Sequence, residues 1–252
     1  MYEMSNQPTP ESIWSSPEPG SRKPKISRLA IADAAIEIAD VDGFEAVSMR
    51  RVAERLGVGT MSLYHYIRSK DDLMALVDDR LMEEVLIPDG EVPEDWREAL
   101  IEVATRSYRA WTKRPWLLAH MAGIPRLGPN VLKHVDQSIG VFAGLGISPA
   151  EQFELTSMID DYTLGFVLSA RDLEAIKEED WKELEGISSY MAELIDTGEL
   201  PNLEAFLGTR DEKELFNRWR EIAGEMSEED RFRRGLTRLI DGIAAGLEQR
   251  EA

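Results

Sequence analysis

A glycine between two short amphipathic stretches constrains this chain more than any other feature of its sequence. The stretch Ser48–Lys70 is SMRRVAERLGVGTMSLYHYIRSK and contains Gly57. Two short helices that cross at a steep angle need a small residue at the crossing and a glycine in the turn. Ala53 and Gly57 supply them, so the stretch predicts a helix-turn-helix. The apolar residues that would anchor both helices are Val52, Leu56, Val58, Leu63 and Ile67.

Helical periodicity dominates the rest of the chain, and no alternating pattern long enough for a strand occurs. Ser27, Ser48 and Ser69 are suited to N-cap helices, and Gly43 is suited to end the first of them. We predict helices over about 27–43, 48–56, 60–66, 70–86, 94–113, 115–123, 129–144, 149–177, 180–197, 211–224 and 228–249. The sequence therefore predicts an all-α fold.

The net charge of −19 is distributed unevenly along the chain. Residues 21–70 hold nine basic and six acidic side chains, a net charge of +3, so the remainder carries −22. The first region suits a polyanion such as nucleic acid, whereas the acidic remainder would repel one and steer the basic face toward it. Solubility alone would also account for the acidic surface.

Composition divides the chain into three parts. Residues 1–25 contain five prolines and end in a basic arm, which predicts a disordered tail. The basic residues of the arm are Arg22, Lys23 and Lys25. Residues 26–72 would form the helix-turn-helix domain, and residues 73–252 would form a larger helical domain.

The sequence lacks the features of several protein classes. There is no cysteine, and the three histidines lie far apart. No HExxH, Walker-type, GxGxxG or GxSxG segment occurs, so we predict no enzyme activity, no metal and no cofactor. No apolar run approaches the ~18 residues of a membrane span, and residues 1–20 lack the pattern of a secretory signal. We therefore expect a cytoplasmic protein.

The outer side of the third helix is the candidate nucleic-acid-binding surface. With Leu63 and Ile67 facing inward, this side carries short polar groups and flat aromatic rings that can reach base edges in the major groove. Its residues are Thr60, Met61, Ser62, Tyr64, His65 and Tyr66. Arg50 and Lys70 flank the surface and are placed to contact phosphates, which set the register of the protein on DNA.

Residues 28–76 resemble the DNA-binding domain of the tetracycline-repressor (TetR) family. The residues that carry the resemblance are Val52-Ala53, Leu56-Gly57-Val58, Leu63-Tyr64-His65-Tyr66, and Lys70 with Leu73. Residues 161–168 and 230–247 also resemble the central and last helices of the regulatory domain in the tetracycline-repressor branch. The resemblance implies an obligate homodimer with its two recognition helices in successive major grooves of a palindromic operator.

The resemblance also assigns roles to individual residues. The implied base contacts are Thr60, Met61, Ser62 and Arg50. The implied phosphate contacts are Tyr64, Tyr66 and Lys70. His65 lies beside them and is either a contact or a surface histidine. Gly59 and Thr60 open the helix where other members often carry larger polar residues, so the operator sequence is not predicted.

The larger domain has features of a dimerisation and effector-binding unit. The helix at 149–177 is apolar on two sides, which indicates burial on both. With the last helix it would form an intersubunit four-helix bundle or, alternatively, more of the monomer core. Gly165 would allow close approach of another helix. The candidate effector-pocket residues are Trp116, His120, Met158, Tyr162 and Phe166, with Asp161 and His134 for polar contacts.

These features predict a three-helix helix-turn-helix DNA-binding domain followed by a larger helical-bundle ligand-binding and dimerisation domain. We expect a ligand-responsive repressor that a small hydrophobic molecule releases from double-stranded DNA by moving the helix near 70–86. Two alternatives remain open from the sequence. One is a transcriptional activator of the same fold, and the other is a helical interaction module that does not bind DNA.

Overall fold

The computed structural model describes residues 12–19, 26–118, 126–174 and 186–249. All regular structure in these ranges is helical, which confirms the predicted fold class. The helices are α1 (Arg28–Asp42), α2 (Met49–Leu56), α3 (Thr60–Leu63), α4 (Lys70–Val85), α5 (Trp96–Lys113), α6 (Pro115–Leu118), α7 (Pro129–Gly140), α8 (Pro149–Glu174), α9 (Ser188–Asp196), α10 (Pro201–Leu207), α11 (Glu212–Gly224) and α12 (Glu228–Glu248). Short 3₁₀ turns cover Ile13–Ser15 and Phe44–Ala46.

The chain forms two compact units, residues 1–160 and 161–252, with the boundary inside α8. The domain boundary predicted at residues 72 and 73 lies in the first turn of α4. This helix packs on α1 and also on α5 and α7, so it belongs to the packing of both predicted domains. No helix in the described ranges is long and apolar enough to cross a membrane.

Serine N-caps begin α1, α2 and α4, as predicted. The hydroxyls of Ser27, Ser48 and Ser69 each accept a hydrogen bond from the backbone N–H three residues later, at 3.0–3.3 Å. Each bond satisfies an N–H that the first turn of a helix leaves free, and each is worth about 1 kcal/mol. The starts of α1, α2 and α4 are therefore encoded locally.

Asp79 fastens α4 to the start of α7. Its carboxylate is 6% exposed and accepts from the backbone N–H groups of Asn130 at 2.7 Å and Val131 at 3.3 Å. A side chain at Gly128 would collide with this carboxylate, so a glycine is required there. Burial raises the pKa of Asp79, because desolvation disfavours the charged form. The aspartate thus caps a helix other than its own.

In the second unit, α9, α10 and α11 pack around a small apolar cluster. Its buried residues are Ile195, Leu207 and Leu215. The sequence did not predict α10, because Pro201 and Gly208 indicate breaks. In the structure they are the two ends of this helix: Pro201 is its first residue, and Gly208 follows its last residue with φ 69°.

Three aromatic rings join the second half of α8 to α12. Tyr162, Phe166 and Phe232 all contact one another, with ring centroids 5.4–6.1 Å apart. The Tyr162 hydroxyl donates to the backbone carbonyl of Phe232 at 2.9 Å. A Cβ on Gly235 would occupy the position of this hydroxyl. Gly235 on α12 therefore makes room for the Tyr162 hydroxyl.

Residues 12–19, inside the segment predicted to be a disordered tail, pack against the N-terminal domain. Residues 12–19 contain a 3₁₀ turn in which Ile13 is 3% exposed. The backbone N–H of Arg28 donates to Glu18 Oε1 at 2.7 Å, which holds this segment to the start of α1. Its proline-rich composition concealed the apolar pair Ile13–Trp14. The arm residues Arg22, Lys23 and Lys25 lie outside the described residues.

Gly235→Ala should destabilise the protein although alanine is the better helix former. The added methyl group would displace the Tyr162 hydroxyl, and overpacking of this kind typically costs about 1–3 kcal/mol. Thermal unfolding should show a lower midpoint for this variant. Adding Tyr162→Phe should restore part of the loss. Gly140→Ala is the control, because a Cβ there meets nothing within 4 Å; a wild-type midpoint for Gly235→Ala would contradict the prediction.

Candidate nucleic-acid interface

Gly57 makes the turn of the helix-turn-helix. Its φ of 67° and ψ of 34° lie in the left-handed region, which glycine adopts without the strain that a Cβ brings. The N–H of Gly57 donates to the carbonyl of Glu54 at 3.1 Å, and the N–H of Val58 donates to that of Ala53 at 3.0 Å. These two bonds close the end of α2 and direct the chain into α3.

Residues 60–66, the recognition segment, are pinned by two buried side chains. Leu63 and Ile67 are 0% and 1% exposed. The predicted helix through Tyr66 is shorter in the structure: α3 ends at Leu63, and a turn continues to Tyr66. The N–H groups of Tyr66 and Ile67 both donate to the Leu63 carbonyl, at 2.8 and 3.0 Å. This turn brings Ile67 back into the core.

The residues predicted to contact DNA are accessible to solvent. Met61 is 76% exposed and Tyr64 is 45% exposed. The other exposed members are Arg50, Gly59, His65 and Lys70. The half-buried members are Thr60, Ser62 and Tyr66. This exposure permits the predicted contacts with DNA, which stay predictions.

Arg50 and Lys70 carry positive charge beside the recognition segment. Arg50 Nε lies 3.7 Å from Glu54 Oε1, and 79% of the Arg50 side chain is exposed. Lys70 Nζ lies 5.7 Å from the ring centroid of Phe44. An exposed ion pair contributes less than about 1 kcal/mol and holds its partners weakly. Both cations can therefore turn toward a phosphate.

Two neighbouring arginines are tied to α1 instead. Arg51 pairs with Asp42, and Arg55 Nη1 lies 2.9 Å from Glu37 Oε2. These ion pairs join the outer faces of α1 and α2. The sequence did not predict them, because each carboxylate lies on a different helix from its arginine.

Trp116, a predicted effector-pocket residue, lies against the N-terminal domain. Its ring stacks on Phe44 with centroids 5.8 Å apart. Its indole N–H donates to Asp40 Oδ1 at 2.9 Å. These contacts give Trp116 a structural role at the end of α1. Its contribution to an effector pocket stays a prediction.

Arg114, at the corner between α5 and α6, contacts two helices of the N-terminal half. Only 8% of its side chain is exposed. Nε lies 3.2 Å from both carboxylate oxygens of Asp40 on α1, and Nη1 lies 2.9 Å from Glu84 Oε2 on α4. The Arg114 hydrogen bond lowers the pKa of Glu84. No sequence pattern pointed to this junction, because its residues are far apart along the chain.

The other predicted effector residues have separate surroundings. Tyr162 and Phe166 are neighbours in the aromatic contact with Phe232, whereas Met158 is 38% exposed. His120 lies outside the described residues. Burial lowers the pKa of His134, because it disfavours the imidazolium. Within the described ranges, no group of three or more His, Asp or Glu side chains is placed to hold a metal ion.

Two family models match the chain. The model described as bacterial regulatory proteins, tetR family, matches residues 31–77. The model described as tetracyclin repressor-like, C-terminal domain, matches residues 88–247, which is more than half of the chain. The chain belongs to the TetR family.

Individual TetR-family proteins are similar over most of the chain. The HTH-type transcriptional repressor DrrR1 of Streptomyces coeruleorubidus is 30% identical over 250 residues, which cover 96% of this chain and 87% of DrrR1. Apo ActR from Streptomyces coelicolor has a TM-score of 0.68 at 23% identity, over 90% of this chain and 99% of ActR. ActR in complex with (S)-DNPA has a TM-score of 0.65 at 25% identity, over 89% and 100%.

Membership of the TetR family confirms the resemblance found from the sequence. The N-terminal model covers Gly57 and the whole recognition segment, so the helix-turn-helix is the one that defines the family. The domains and relatives of the family are transcriptional regulators and not enzymes, which agrees with the lack of catalytic motifs in this chain.

Arg114→Met should lower the free energy of unfolding by about 2–3 kcal/mol, because it removes the charge-assisted hydrogen bonds from a buried cation to Asp40 and Glu84. Lys113→Met is the matched control: Lys113 also pairs with Glu84, but its side chain is 62% exposed, so its loss should cost less than about 1 kcal/mol. Urea unfolding of both variants measures the difference. Equal effects would contradict the prediction.

The Arg114 contribution should also depend on pH. The pKa of Glu84 is lower in the folded protein than its usual 4.5, so the stabilisation is complete above that pH and is lost as the pH falls through the folded value. The difference between wild type and Arg114→Met should therefore shrink in acid. A constant difference down to low pH would assign the stabilisation to packing.

Proposed function

We propose that this TetR-family chain is a ligand-responsive transcriptional repressor that leaves a palindromic operator when a small hydrophobic molecule binds. The observation that carries the proposal is the exposed polar side of the recognition segment. Leu63 and Ile67 bury its other side in the domain that the TetR family model matches. The similarity to the repressor DrrR1 over nearly the whole chain supports repression rather than activation. The cytoplasm, where operator DNA is found, is the proposed location.

The base contacts proposed for this repressor come from one turn of helix. Met61 is the most exposed of them, and Thr60 and Ser62 flank it with hydroxyl groups. Arg50 would reach a base or phosphate from α2. Tyr64, Tyr66 and Lys70 would contact phosphates and so fix the register without sequence preference. His65 is exposed between the two tyrosines and stands as a candidate contact.

A homodimer would place two recognition segments in successive major grooves, which are about 34–36 Å apart. The second half of α8 and α12 are the proposed interface. On α12 the exposed residues include Gly242, Ala245 and Gly246, which lie on neighbouring parts of one face. On α8, Gly165 is exposed and a Cβ there meets nothing within 4 Å in this chain. Small exposed groups on both helices permit close approach of a second copy.

The effector is proposed to bind in the larger helical domain. ActR has been solved with (S)-DNPA and with actinorhodin, two small molecules. For this chain we retain the pocket set predicted from the sequence, which includes Met158, Tyr162 and Phe166. The buried His134 is the candidate for a polar contact, since its lowered pKa keeps the imidazole neutral and able to accept a hydrogen bond.

The effector would act through α4. A ligand shifts DNA binding only if it favours one arrangement of the protein over another. Asp79 joins α4 to α7, and Glu84 joins its last turn to Arg114. A change at α5 or α7 would therefore move α4, and with it the recognition segment that precedes it. The separation of the two recognition segments in a dimer would then no longer match the operator.

The alternatives left open by the sequence are not favoured. DrrR1 is a repressor, which favours repression over activation. The interaction module is disfavoured because the family match covers the DNA-binding domain.

DNA binding is tested by selecting duplexes from a random pool with the purified wild-type chain. The wild type should enrich a palindrome, and its affinity should fall steeply with salt because phosphate contacts release counterions. Tyr64→Ala should weaken binding to all duplexes, whereas Ser62→Ala should change mainly the selected sequence. If both variants bind as the wild type does, the recognition segment is misassigned. If no duplex is enriched, the proposed function is wrong.

The dimer is tested by Gly242→Arg, which should shift the chain toward a monomer in sedimentation velocity. Thr237→Arg is the matched control: Thr237 is exposed on α12 five residues earlier, about 140° around the helix from Gly242. The control should remain dimeric. A monomeric wild type, or a dimeric Gly242→Arg, would remove this interface.

A further inference from the structure

Arg28 connects three segments of the N-terminal domain. Its Nε donates to the carbonyl of Tyr66 at 3.3 Å, and its Nη1 donates to the carbonyl of Ser16 at 3.0 Å. Its backbone N–H donates to Glu18 Oε1 at 2.7 Å. One residue therefore links residues 12–19, the start of α1 and the end of the recognition segment.

Residues 12–19 have an anchor of their own besides Arg28. Ile13 is 3% exposed, as buried as the core residues of α1 and α4. The N-terminal family model begins at residue 31, so Ile13, Glu18 and Arg28 all lie outside the part of the domain that the family model describes. The link that Arg28 makes between this segment and the recognition segment is thus a feature of this chain beyond the family match.

We propose that residues 12–19 are a working part of the DNA-binding domain and that Arg28 is a positioning residue for the recognition segment. The proposal rests on the proposed function. α3 is a single turn, so little regular structure holds the Tyr66 end in place. The planar guanidinium reaches the two carbonyls from two separate nitrogens in a fixed geometry, which the single nitrogen of a lysine does not offer. Fixing Tyr66 before DNA arrives removes an ordering cost from binding.

This role differs measurably from that of a phosphate contact. Each phosphate contact adds about 0.9 to the slope of log affinity against log salt concentration, whereas a positioning residue adds nothing to it. Arg28→Lys also separates the two roles, because it keeps the positive charge but loses the geometry of the two hydrogen bonds to carbonyls. Ile13→Ala removes the anchor of the segment without any change in charge.

The test uses full-length variants, a duplex selected by the wild type and a scrambled duplex of the same composition. Arg28→Met, Arg28→Lys and Ile13→Ala should each bind the selected duplex about tenfold more weakly, the size of one lost charge-assisted hydrogen bond. Their salt slopes should match that of the wild type. Their binding to the scrambled duplex should weaken as well, because Tyr66 is proposed to contact phosphate without sequence preference. Val41→Ala is the control, since it truncates a side chain that is 75% exposed on α1.

Two results would overturn the proposal. If Arg28→Lys binds as the wild type and Arg28→Met loses about 0.9 of the salt slope, Arg28 is a phosphate contact. If Ile13→Ala leaves specific binding unchanged, residues 12–19 have no part in DNA recognition.

Hydrogen exchange in the free protein separates this proposal from the proposed function. The amides of residues 64–68 should exchange faster in Arg28→Met and Ile13→Ala than in the wild type, with exchange in α12 unchanged as a check on folding. If the wild type enriches no duplex, the proposed function fails whatever the exchange shows. Unchanged exchange at 64–68 in a DNA-binding wild type would overturn the positioning role alone.

Discussion

The position of α4 depends on two charged contacts, each of which includes one buried charged side chain, Asp79 or Arg114. Asp79 holds the middle of the helix to the start of α7, and Glu84 holds its last turn to Arg114. Burying Asp79 disfavours its charged form, as its raised pKa indicates. Hydrogen bonds from well-placed donors offset that cost, and they do so only in one geometry. The middle and the last turn of α4, the helix that leads out of the DNA-binding domain, are therefore both held in place.

The same contacts suit a protein that must respond to a signal. An apolar interface tolerates small displacements, whereas a hydrogen-bonded charged contact weakens steeply when its geometry is lost. Arg114 touches both α1 and α4, so a shift at the α5–α6 corner affects both helices together. Trp116 adds a stacked ring and one hydrogen bond at the same corner. The α5–α6 corner thus contacts the domain that carries the recognition segment through both α1 and α4.

Features encoded within a few residues were predicted correctly, and features that depend on distant partners were not. Three serine caps and the Gly57 turn follow from backbone chemistry over a single turn of chain. The Arg114 junction and the order of residues 12–19 depend on side chains that meet only after folding. Trp116 illustrates the difference, since an aromatic residue suits a pocket and a packed interface equally well. Pro201 shows a further limit, because the same residue ends one segment and begins a helix.

A recognition helix of four residues can distinguish only a few DNA bases. A good bidentate contact discriminates between bases by about 1–3 kcal/mol, and one turn of helix offers room for only a few such contacts. A genome presents roughly 10⁶–10⁹ competing sites, too many for one such helix to search successfully by itself. The short α3 therefore favours the proposed dimer, because two copies that bind together would multiply their selectivities, and the spacing between them would become part of what is recognised.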